Sequence, residues 1–132
     1  MLSLFPQILF LAPLGVTLLR IAAAVVFLLG GYTHITQRRE LSRINFMIIG
    51  GGVWIPLFTA CIELAVGGLL AAGLYTQIAA LFGALLALKY FVWKRRYSSF
   101  FPLSRTASAL LFVICLSLIV SGAGALAFDL PL

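Results

Sequence analysis

Four long apolar stretches alternate with short polar ones along the chain. The polar breaks fall near residues 36–52, 75–77 and 98–105, and they predict helices over about 14–32, 53–75, 76–93 and 106–126. Each stretch holds about 20 mostly apolar residues, enough to cross a hydrocarbon core. Residues 1–13 are apolar and carry no Lys or Arg, so they lack the basic start of a signal peptide. Pro6 and Pro13 interrupt a continuous helix there. A short interfacial helix leading into the first span is the expectation.

The breaks say how the helices connect. The link around Tyr75-Thr76-Gln77 is uncharged and very short, so the second and third spans form an antiparallel hairpin. Pro56 lies in the first turn of the second span, where a missing N–H costs little. Lys94, Arg95 and Arg96 stop the third span, with Tyr90, Trp93 and Tyr97 beside them as interfacial anchors. Arg20, Ala24, Phe27, Gly31 and His34 recur at steps of three and four and share one face of the first span. Thr76, Ala80, Gly83 and Ala87 form a small-residue face on the third, suited to close helix packing.

Composition narrows the picture. Of 132 residues, 64% are hydrophobic and 9% charged, and the mean hydropathy is +1.20. A soluble domain of this length lacks the polar surface such a composition would require. The fold class is therefore all-α, a single integral-membrane four-helix bundle over residues 1–132, with the lipid bilayer as its solvent. The net charge of +6 does not mark a nucleic-acid partner, because the basic residues sit between the apolar runs. Arg38, Arg39, Arg43, Lys89, Lys94, Arg95, Arg96 and Arg105 lie in or beside the first and third linkers. The positive-inside rule makes that side cytoplasmic and puts both termini outside.

Chemistry concentrates on few residues. Glu63 is the only acidic residue within a predicted span, and Gly67 and Gly68 follow it by one turn. Arg20 is the only basic residue in the outer half of a span. Each is costly alone in hydrocarbon, so an Arg20–Glu63 ion pair is one expectation, and a polar pocket for a quinone headgroup or a proton is the other. Tyr32 and His34, at the end of the first span, are either interfacial anchors or headgroup contacts. Gly31, Gly67, Gly68 and Gly83 are expected to let helices approach closely. Cys61 and Cys115 form no C-x-x-C pair, and a lone histidine makes no metal site, so no intrinsic metal is expected.

Leu18-Leu19-Arg20-Ile21 with Phe27 and Gly31-Tyr32 resembles the first-helix pattern of the DoxX family. Glu63-x-x-x-Gly67-Gly68 with Gly73 and Thr76 resembles the second, whereas the third linker carries no further acidic motif. The resemblance implies a four-helix protein of a bacterial or archaeal cytoplasmic membrane. The family takes its name from a subunit associated with quinone-linked sulfur oxidation, and other members associate with redox proteins. It implies an accessory subunit of a quinone-linked redox system, with a quinone as ligand, no cofactor of its own and a membrane or redox protein as partner. A membrane scaffold or chaperone-like protein without redox chemistry is the alternative, and a small-molecule carrier a third.

Overall fold

The computed structural model describes residues 6–43, 50, 52, 54–96, 98, 103–124 and 126. Among them the chain is an all-α bundle: α1 (Ala12–Thr36), the single turn α2 (Arg38–Leu41), α3 (Trp54–Ala72), α4 (Thr76–Trp93) and α5 (Arg105–Ser121). Helices α1, α3 and α4 are long and apolar enough to cross a membrane, whereas α5, with 17 residues, is apolar but shorter.

Local signals explain the boundaries. A 3-10 turn, Pro6–Leu11, runs directly into α1, and Pro13 sits within the first two helical positions, where no intrahelical N–H bond is lost. Helix α3 ends in a Schellman motif: Leu74 N–H donates to the Leu69 carbonyl and Gly73 N–H to the Leu70 carbonyl, with Gly73 at φ 70°. Tyr75, also left-handed at φ 48°, completes the turn into α4. Ser104 caps α5 by accepting from Ala107 N–H at 3.2 Å. The fourth apolar stretch, expected as helix to residue 126, leaves the helix after Ser121. Gly122 and Gly124 take φ of 77° and 80°, and Gly124 comes against Thr17 and the Pro13 carbonyl of α1.

The helices run up, down, up and down. Helix α1 packs mainly on α3 and α4 mainly on α5, and α3–α4 and α1–α5 contacts join the two pairs. The interior is built from small residues. Ala23, Ala24, Ala60, Ala79, Ala80 and Ala87 are almost fully buried, with Phe27, Leu70 and Leu118 as the large fillers. The large apolar side chains of Leu18, Leu29, Phe58, Leu85 and Val120 face outward. That distribution suits lipid, where small residues let backbones approach and nothing is gained by hiding leucine.

The glycines decide the closest contacts. A Cβ at Gly31 would lie 2.7 Å from Leu64 Cγ, and one at Gly67 would lie 2.9 Å from Leu28 Cγ and 3.1 Å from the Ala24 carbonyl oxygen. At Gly83 the neighbours are Phe27 and the Cys115 sulfur, at 3.0 and 3.1 Å. Gly68, expected at the helix contact beside Gly67, is exposed with nothing within 4 Å of its would-be Cβ. One residue advances a helix by 100°, so neighbours cannot both meet a single partner helix, and Gly68 turns away.

Candidate functional site

The α1–α3 register makes the site. Gly31 faces Ala60 and Leu64, and Gly67 faces Ala24 and Leu28, so the antiparallel pair sets Gly30 against Glu63. A Cβ on Gly30 would approach Glu63 Oε2 to 3.3 Å. The missing side chain gives the carboxylate room between two helices. His34, one turn beyond Gly30 on the same face, meets it there.

His34 Nδ1 and Glu63 Oε2 are 2.7 Å apart, and both side chains are fully buried. This is the distance of a charge-assisted hydrogen bond. One proton shared between imidazole and carboxylate leaves the pair neutral overall, the state an apolar interior favours. It can sit on either partner. Glu63 Oε1, in contrast, has no hydrogen-bond partner among the described residues. The buried Tyr90 ring tilts against His34, with centroids 6.4 Å apart.

A groove lies between α3 and α4, one turn along α3 from Glu63. It has a volume of about 440 Å³ and is lined by Trp54, Ile55, Phe58, Thr59 and Lys89. Thr59 is one turn before Glu63 on the same face of α3, and its hydroxyl donates to the Ile55 carbonyl at 2.9 Å. Lys89, half-buried on α4, supplies the facing wall. Trp54 and Phe58 are exposed on the outer wall. The groove thus presents aromatic surface outward and one ammonium group, with the covered Glu63 carboxylate one turn along α3 behind Thr59.

The expected Arg20–Glu63 pair does not form. Arg20 is buried, but its two terminal nitrogens donate to the carbonyls of Ala123 and Leu126, just beyond α5. A guanidinium at this place also opposes the negative end of the α5 dipole. The cause is register. Helix α1 begins at Ala12 and overruns the end of α3, so Arg20 is level with Gly73 rather than Glu63. About 21 Å of helix separates Arg20 from His34 at roughly 1.5 Å per residue.

The expected headgroup contacts also part. Tyr32 is 65% exposed on the outside of α1, whereas His34 is internal and anchors nothing at the interface. Cys61 is exposed and Cys115 buried, on different helices. Among the described residues no three His, Cys, Asp or Glu side chains converge. The sequence alone does not mark Gly30, Thr59 and Lys89 as site residues, and it marks Tyr90 only as an interfacial anchor. The Gly30–His34 spacing was the available signal for the first, since it places a gap one turn from a titratable ring. The others depend on how α4 sits beside α3, which no spacing within one helix reveals.

A family model described as DoxX matches residues 15–93, more than half of the chain. No curated protein and no solved structure matches it.

Proposed function

We propose that this chain, which belongs to the DoxX family, is an integral-membrane accessory subunit of a quinone-linked redox system, in which it holds a quinone for a redox partner protein. The observation that carries this reading is the buried His34–Glu63 pair one turn along α3 from a groove walled by exposed Trp54 and Phe58. The residues fit such a ligand. Trp54 and Phe58 offer aromatic surface for a flat ring, and Lys89 offers a hydrogen-bond donor to a carbonyl. Glu63 and His34 supply a place for a proton one turn from the groove, with Gly30 leaving room for the carboxylate. A quinone, when bound, supplies two-electron chemistry coupled to protons, and the electrons belong to the partner. In this reading the groove faces the cytoplasmic side and both termini lie outside; the basic residues at the ends of α2 and α4 support it.

Protein purified in mild detergent should retain quinone at about one per chain, measured by mass spectrometry of the lipid extract. Thr59→Trp, which fills the groove, should lower that several-fold. Equal quinone in both, at the level of the surrounding lipid, would sink the reading. The scaffold alternative draws on one observation, the open face of α3 where Cys61, Ala65 and Gly68 are exposed. It would be favoured by a protein partner at fixed stoichiometry with no quinone.

A further inference from the structure

We infer that the groove between α3 and α4 is a site for one anionic phospholipid, with its phosphate on Lys89 and the upper part of its chains along Phe58. The inference does not rest on the quinone reading. A lipid phosphate and a quinone carbonyl would meet the same ammonium, so the two ligands exclude each other there.

Lys89 is the only charged side chain on the groove wall. The Thr59 hydroxyl proton is committed to the Ile55 carbonyl, and Trp54, Ile55 and Phe58 complete a largely apolar lining. Among the described residues no hydrogen bond or ion pair engages Lys89. Glu63, the one acidic residue on α3, α4 or α5, is already paired with His34. An ammonium within a span needs a partner, and the groove supplies none of its own.

The level of the groove fits a headgroup. Lys89 precedes Lys94 by about 7.5 Å of helix, at roughly 1.5 Å per residue, and its stem can carry the ammonium toward that end. Trp54 opens α3 at the same end and is 81% exposed, the placement of an interfacial aromatic. That end is also basic. Leu41 packs with Tyr90 and Ile55, which brings α2, with Arg38 and Arg39, beside the end of α4 that carries Lys94, Arg95 and Arg96. Glu40 is the one acidic residue there among the described residues. Such an excess attracts anionic lipid, and a lysine meets a phosphate as a point charge. A zwitterionic headgroup brings its own cation to the same place, so the basic end selects against it. The apolar wall takes the chains, which a free phosphate lacks.

The experiment is native mass spectrometry of the full chain released from a neutral detergent. Phosphatidylglycerol and phosphatidylcholine with identical chains are supplied at equal concentration. One phosphatidylglycerol per chain should be retained, about tenfold in excess of phosphatidylcholine, as a hydrogen bond to a charged group allows. Lys89→Gln, with its far-ultraviolet circular dichroism unchanged, should reduce that preference to less than about threefold. Lys89→Arg should keep it. Arg95→Gln removes the same charge from an exposed position at the same end and should change the preference by less than about twofold. Glycerol phosphate, which carries the anion without chains, should displace nothing. Equal retention of the two lipids, equal losses in Lys89→Gln and Arg95→Gln, or displacement by glycerol phosphate would each overturn the inference. Each would leave the proposed function standing, since quinone retention is read separately.

Discussion

Two buried ionisable groups divide this bundle, and they are held in opposite ways. Arg20 lies at the end where the chain termini meet, and its terminal nitrogens reach carbonyls of the segment after α5. That arrangement is a latch: a cation answers backbone groups that a truncated fourth helix leaves open. Glu63 lies nearer the middle, where Gly30 on α1 leaves room for its carboxylate. It is answered on one oxygen by His34 and has no hydrogen-bond partner on the other among the described residues, one turn from a groove. Burial is the same for both, and each keeps one buried polar atom without a hydrogen-bond partner among the described residues, Arg20 Nε and Glu63 Oε1. Only Glu63, however, stands one turn from a residue that lines a groove, Thr59. Neither depth nor an unmet atom therefore distinguishes a structural charge from a functional one; nearness to space for a ligand does.

The largest effect should come from the latch. Gly124→Val puts a branched side chain at φ 80°, with its Cβ 2.7 Å from Thr17 Oγ1 and 3.0 Å from the Pro13 carbonyl oxygen. Strain and overpacking together should cost about 3 kcal/mol or more in detergent unfolding. Quinone retained per folded chain should stay the same. A loss of quinone without a loss of stability would mean that the two regions are not separate.

Arg20→Leu should cost about 2–3 kcal/mol, because the carbonyls of Ala123 and Leu126 lose their donors. Unfolding midpoints compared with wild type would check it, and a loss under about 0.5 kcal/mol would show that the latch contributes little. Glu63→Gln keeps the shape and a hydrogen bond to His34, so it should cost only about 1 kcal/mol. Its quinone retention should nonetheless fall several-fold. The ranking of these two variants should thus reverse between stability and binding, and the same order in both assays would break the comparison.

Gly30→Ala is smaller still. Its Cβ would lie 3.3 Å from Glu63 Oε2, against the end of a side chain rather than backbone. A cost of about 0.5–1 kcal/mol is expected, with weakened ligand binding as the carboxylate shifts. The smallest effect is the coupling between the two regions. In a double-mutant cycle, Arg20→Gln and Glu63→Gln should add to within about 0.5 kcal/mol, since they share no partner. Partial recovery in the double variant would revive the ion pair that the register rules out.

The order and boundaries of the helices were largely legible in the chain. Apolar runs near membrane length, Gly73 and the basic clusters mark where helices stop, because those signals act within a turn or two of the backbone. The faces were legible too: Arg20, Ala24, Phe27, Gly31 and His34 were expected on one side of α1, and all are buried. Glu63 and His34 both stood out as polar residues, but not as partners. Helix α1 extends past the end of α3, so the distances of Arg20 and Glu63 from their helix ends do not tell which residues stand level. Their register is set by the interlocking of Gly31 with Leu64 and Gly67 with Leu28, a matter of shape at atomic contact. Sequence by itself determined which groups must be buried, because hydrocarbon offers them no water. Tertiary structure alone decided which group meets which, because a partner is chosen by the packing of two surfaces, and no periodicity along one helix encodes the surface of the next.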